Sequence, residues 1–150
     1  MDTNHSDRDD REAFKAYLKY FETLRPETVD NLAALVSDDF HFCDPFNNIR
    51  GAEKAQKTFR HMFRLLKNPQ FRILETAYED RILFTRWDFT FSTPLLAWGK
   101  PQCITGFSRV TLDDSGKISS HWDYWDASTA IYMRIPVIRW PLLLIRKFLS

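Results

Sequence analysis

The chain predicts an α+β domain, and three observations carry that expectation. Apolar residues recur at helical spacing from Phe14 to Leu66, then at a period of two from Phe71 to Trp125. No repeat, linker or shift in composition divides the 150 residues, a length that buries a substantial core as one unit. Hydrophobic residues at 44% and aromatics at 15% suit a generous apolar interior. Helices first and strands after give a curved antiparallel sheet with three N-terminal helices over one face. The domain is expected over residues 10–150, behind a polar leader at 1–9 read as disordered.

The first helix is expected from Asp10 to Leu24, with Phe14, Tyr17, Leu18, Phe21 and Leu24 on its buried face. Tyr20 falls roughly 90° from that stripe, as a flank residue or one reaching into a cavity. Pro26 suits the first turn of a second helix, whose stripe is Val29, Leu32, Leu35 and Val36. "FHFCDP" reads as a brief strand ending at Pro45. "NNIRG" turns into a third helix, with Ala55, Phe59, Met62 and Leu66 on one side. Its other side carries Lys54, Lys57, Arg60 and Arg64 as a solvated basic face.

Four alternating strands follow: "FRILETAYE", "RILFTRWDFTFS", "QCITGFSRVTL" and "KISSHWDYWD". Residues 128–150 form an apolar and basic extension, interrupted by Pro136 and Pro141. The prolines argue against one clean amphipathic helix and favour a segment that covers the sheet or joins a subunit interface. Weak contact with a membrane surface is the alternative.

Several function classes are disfavoured by composition. A net charge of +1 gives no pull toward nucleic acid, and four glycines build no phosphate cradle. Cys43 and Cys103 offer neither a disulfide framework nor metal spacing. The opening "MDTNHSDRDDREAF" is unlike a signal peptide, and no apolar run is long enough to span a bilayer. A reduced, cytoplasmic protein without cofactor or metal is expected. His121-x-Asp123 begins a facial-triad pattern, but no histidine follows it.

Strand parity then groups the polar candidates. His121, Asp123 and Trp125 share one face of the last strand, and Trp122, Tyr124 and Asp126 the other. In the strand from Leu83 to Ser92, Phe84, Arg86, Asp88 and Thr90 oppose Leu83, Thr85, Trp87, Phe89 and Phe91. If the mixed faces line a cavity, Arg86, Asp88 and Asp123 meet inside it as an arginine-bridged acid and base. The plainer alternative is a surface ion pair. Asp44, before Pro45, is a further acid or a simple turn opener.

"DDFHFCDP" and "GKISSHWDYWD", in this order of helices and strands, resemble the nuclear transport factor 2-like superfamily, in its SnoaL-like branch. The resemblance implies a cone-shaped fold around a pocket, and a homodimer formed through the sheet face bearing Trp122 and Tyr124. "RWD" and "HWDYWD" are similar to the limonene epoxide hydrolase pattern, which implies Arg86, Asp88 and Asp123 as its catalytic set. The water-holding Tyr and Asn of that family fall on Phe42 and Asp44. Tyr20 and Asp44–Pro45 are similar to the ketosteroid isomerase pattern, whose second oxyanion acid falls on Ser108.

The expected function is therefore a pocket for a hydrophobic small molecule, with cofactor-free isomerase-like or hydrolase-like chemistry. Catalytic candidates are Asp44, Asp123, Asp88, Arg86 and Tyr20. His41, His121, Trp125, Phe42, Ser108 and Phe84 are the candidate substrate contacts. A non-catalytic binding or assembly module is the alternative.

Overall fold

The computed structural model describes residues 3–150. Helix α1 (Thr3–Glu22) is followed by a 3-10 turn (Pro26–Asn31), a single helical turn α2 (Leu32–Leu35), and strand β1 (Val36–Cys43). Strand β2 (Asn48–Arg50) leads into helix α3 (Ala52–Leu65), and strands β3 (Lys67–Glu79), β4 (Ile82–Ser92), β5 (Gln102–Leu112) and β6 (Ile118–Tyr124) complete the sheet. A short α4 (Ala127–Ala130), a 3-10 turn (Tyr132–Arg134) and α5 (Pro136–Leu149) follow.

The six strands form one curved, unclosed sheet in the order β2-β1-β6-β5-β4-β3. All neighbours are antiparallel except β1 and β6, which run parallel with Phe42 opposite His121. The α+β architecture is as expected, and four local readings are corrected. Helical backbone begins at Thr3, inside the stretch read as a leader; Met1 and Asp2 lie outside the described residues. The second helix is only a 3-10 turn and one α turn, because Val36 is already extended and pairs with Ile118. "NNIRG" is not all turn, since Asn48–Arg50 pairs with β1. The tail is helical straight through Pro141, which lies inside α5 and, lacking an N–H, cannot bond the Val137 carbonyl one turn back.

One face of the sheet is buried beneath the helices. The burial of β5 alternates strictly from Gln102 to Val110, with Ile104, Ser108 and Val110 inside and Cys103, Thr105 and Phe107 outside. Phe14, Tyr17 and Phe21 on α1, with Leu24 just beyond it, meet Phe40 and Phe42 of β1 and Phe59 of α3 in the main core. A smaller cluster of Trp87, Phe91, Leu96 and Ile104 packs against Trp125, Ile131 and Ile135 at the other end.

The turn before β6 sets which of its residues point inward. Asp113 Oδ1 accepts from the Ser115 and Lys117 amides at 2.8 and 3.1 Å and from the Ser115 hydroxyl at 2.7 Å. Gly116 takes the left-handed conformation, φ +77°, that closes the turn. From that register His121 and Ser108 are buried on the inner face, while Tyr124 is exposed on the outer one.

Candidate functional site

The inner face encloses a cavity of about 440 Å³. Phe42, Phe59, Phe71, Trp87, Phe89 and Phe91 supply much of its wall, with Trp125, Ile131 and Ile135 closing one side. That volume and apolar lining suit a small organic ligand. Asp123 borders it. A hollow of about 20 Å³, lined partly by Tyr17, Thr85, Ser108 and His121, shares Phe21, Phe71, Trp87 and Asp123 with the larger cavity.

Asp123 is held from behind by a buried hydrogen-bond network. Its Oδ1 accepts from the Ser108 hydroxyl and from His121 Nε2, the latter at 2.7 Å. Ser108 in turn accepts from Trp87 Nε1 at 2.7 Å. Tyr17 reaches His121 Nδ1 at 2.8 Å from α1. Burial, with the charge of Asp123 adding to it, pushes the Tyr17 phenol well above its usual pKa. The phenol therefore stays protonated. A carboxylate only accepts, so His121 donates to Asp123 from Nε2, and the Tyr17 hydroxyl is left able to donate to Nδ1. Both hydrogen bonds to the carboxylate fall on Oδ1, leaving Oδ2 without a protein partner among the described residues.

Local sequence explains why the network assembles. Ser108 lies opposite Asp123 on β6 and Thr85 on β4, so three inward positions fall in one row across the sheet. Gly106, opposite Trp87, is a glycine for a steric reason: a Cβ there would lie 2.4 Å from the indole ring. Its absence lets Trp87 lie across β5 and reach Ser108. His121 is caged by the rings of Tyr17, Phe21 and Phe42, with centroids 5.2–5.6 Å away.

The structure brings Asp123, His121, Trp125 and Phe42 to the cavity region, and it sends other candidates elsewhere. Arg86 and Asp88 lie on the outer face, so the expected Arg86–Asp88–Asp123 cluster does not form. Arg86 pairs with Glu75 at 2.8 Å; Asp88 binds Arg72 at 2.9 Å and the Thr105 hydroxyl at 2.7 Å. Desolvation explains the inversion. The aromatic face of β4 can be enclosed cheaply, whereas an Arg and an Asp retain water outside. Phe84 goes out with them and is 41% exposed.

His41 is also off the cavity, bonded to Asn48 Oδ1 at 2.7 Å and packed edge-on against Trp122. Tyr20 does not line the large cavity or the small hollow. Its hydroxyl donates to the Val29 carbonyl at 3.0 Å, pinning the 3-10 turn to α1, and burial raises its pKa. Ser108 touches the small hollow rather than the large cavity and acts on Asp123. Asp44 borders the cavity but holds the turn after β1: its Oδ1 accepts from the Phe46 and Asn47 amides, both at 2.7 Å. Sequence reading missed Tyr17, Thr85 and the Trp87 N–H. Tyr17 stood in the apolar stripe, and only its spacing one turn before Tyr20 hinted at a polar role. Among the described residues no group of three His, Cys, Asp or Glu side chains is placed to hold a metal ion.

Comparison with solved structures returns the same fold. A candidate SnoaL-like polyketide cyclase from Jannaschia sp. CCS1 aligns over 85% of this chain and 92% of its own, with 14% identity and a TM-score of 0.69. An LEH-like epoxide hydrolase from M. tuberculosis aligns over 91% and 96%, with 18% identity and a TM-score of 0.65. A protein with a ketosteroid isomerase-like fold from Catenulispora acidiphila, solved with trimethylamine, aligns over 83% and 92%, with 12% identity and a TM-score of 0.68. At these identities the likeness concerns the fold. No match is found among curated proteins. The SnoaL-like domain family matches residues 8–121, from within α1 to His121 midway along β6, and the chain belongs to that family.

Proposed function

We propose that this protein carries out cofactor-independent proton transfer on a hydrophobic small molecule, of polyketide, terpenoid or steroid type, with Asp123 as the reacting carboxylate. The observation that carries this reading is a carboxylate at the edge of an apolar cavity of about 440 Å³, with both inner hydrogen bonds on one oxygen. Oδ1 is held by Ser108 and His121, and Oδ2 is the oxygen assigned to the substrate. Such fixed orientation is what general acid–base catalysis requires of a side chain.

As an isomerase, Asp123 takes a proton from one substrate carbon and returns it to another. As an epoxide hydrolase, it takes a proton from water as the water oxygen bonds to a ring carbon; that carbon's bond to the epoxide oxygen breaks, and the released oxygen takes up a proton, so that water is added across the bond. His121 and Tyr17 position the carboxylate in either case. The cyclase and epoxide hydrolase among the structural relatives support this class of chemistry. A homodimer through the sheet face bearing Trp122 and Tyr124 belongs to the same proposal. It is supported by Phe107 and Tyr124, 54% and 57% exposed and directly opposite each other on β5 and β6.

Calorimetry with a planar phenol, an aliphatic primary amide and a neutral terpene tests the site. The phenol or the amide should bind the wild type and lose affinity at least tenfold in Asp123→Asn, while Asp44→Asn retains it. Terpene binding alone, equal in all three proteins, would make the cavity a carrier site and overturn the catalytic reading.

A further inference from the structure

The described helices include none long and apolar enough to cross a membrane, yet α5 exposes an unusual amount of apolar surface. Val137, Trp140, Leu144 and Phe148 recur at spacings of three and four and so share one face of the helix. They are 84%, 72%, 69% and 90% exposed. Arg139 and Arg146, also exposed, lie seven residues apart on the opposite side. Fourteen residues rise only about 21 Å, too short for a hydrocarbon core of about 30 Å.

Charge is distributed as unevenly as hydrophobicity. Of the 21 Lys and Arg residues, Arg134, Arg139, Arg146 and Lys147 fall after position 126, and none of the 20 acidic residues does. Residues 127–150 therefore carry +4 and the rest of the chain −3. We propose that α5 is an interfacial helix that docks this protein on an anionic lipid surface, with Val137, Trp140, Leu144 and Phe148 inserted and the arginines at the headgroups. A second copy of α5 is the poorer occupant, because it would cover the apolar face while bringing another +4 segment and no negative charge to meet the first. An anionic bilayer matches both the apolar face and the charge.

The docking has a consequence for the cavity. Ile131 and Ile135, just ahead of α5, form part of its wall, and Phe46, Leu65 and Leu95 on its border are each at least 50% exposed. Attachment through α5 holds this apolar border beside the lipid phase, so that a hydrophobic ligand enters from the bilayer. That consequence rests on the reading of the cavity as the ligand site; the attachment itself does not.

Flotation of the full chain with vesicles tests the proposal. The wild type should float with phosphatidylcholine vesicles containing phosphatidylglycerol, remain behind with phosphatidylcholine alone, and be released by salt. Charge reversal in Arg139→Glu/Arg146→Glu should weaken binding by roughly 30-fold or more. Replacing Val137, Trp140, Leu144 and Phe148 by Ser should abolish it, with ligand binding in the cavity retained because these side chains are exposed. A wild type that stays in the aqueous phase with anionic vesicles overturns the proposal, as does a Ser variant that floats equally well. A lipid-independent oligomer that the Ser variant dissolves would assign the face to a second copy instead.

Discussion

Arg86-Trp87-Asp88 and His121-Trp122-Asp123 are similar tripeptides on two strands of one sheet, and they face opposite ways. In the first, the Trp is buried and the Asp lies on the solvent side. In the second, the Asp points in and Trp122 points out. Each carboxylate accepts a hydroxyl from the intervening β5, Thr105 for Asp88 and Ser108 for Asp123. The remaining partner separates them: Asp88 takes a solvent-exposed Arg72, Asp123 a histidine shut in by aromatic rings. A motif's chemistry here follows the face it lands on rather than its letters.

The comparison can be broken most sharply at the two acids. Asp123→Asn keeps an acceptor at Oδ1 for Ser108 and His121, so the fold should survive while any turnover falls by ~100-fold or more. Asp88→Asn should leave turnover unchanged, and equal losses in the two variants would show that the faces are not distinct in function. Next in size, His121→Ala strands the Tyr17 hydroxyl and opens a void, which should cost about 3 kcal/mol or more in chemical denaturation. Arg72→Ala, its outer-face counterpart, should fall within about 0.5 kcal/mol.

Gly106→Ala pushes a methyl into the Trp87 ring and should cost about 1–3 kcal/mol, with a change in Trp fluorescence as the indole leaves Ser108. The smallest effect concerns pH. The Thr105 hydroxyl, then Arg72, holds Asp88 below the usual carboxylate range. A depressed folded-state pKa stabilises the protein above the unfolded pKa, and that contribution disappears as pH falls through the folded value. Asp88→Asn should therefore make the acid limb of a stability-versus-pH curve shallower. An unchanged limb would mean that the outer network carries no measurable stability.

Much of the fold was legible because periodicity reports burial directly. The stripes on α1 and α3 and the alternation along β4, β5 and β6 appear as the pattern of apolar residues requires. The second helix was misread because a stripe of Val29, Leu32, Leu35 and Val36 fits one helix as well as a turn followed by a strand. At the site, parity correctly grouped His121, Asp123 and Trp125, but it does not say which face of β4 meets that group. Tyr20 and Tyr17 show the same limit: both are buried on α1, and only the packing distinguishes the one that holds a backbone carbonyl from the one that reaches His121.

The sequence by itself determined the family, the order of helices and strands, the grouping of His121, Asp123 and Trp125 and the charged apolar tail. These depend on local spacing and composition, which the chain carries in every conformation. The tertiary structure decided that the aromatic face of β4 is the inner one, because enclosing Arg86 and Asp88 would have stripped both of water. It also decided that Tyr17, Trp87, Ser108 and His121, from four different elements, converge behind one carboxylate. No spacing along the chain encodes that meeting, since strand register and helix docking bring the four together only in the folded sheet.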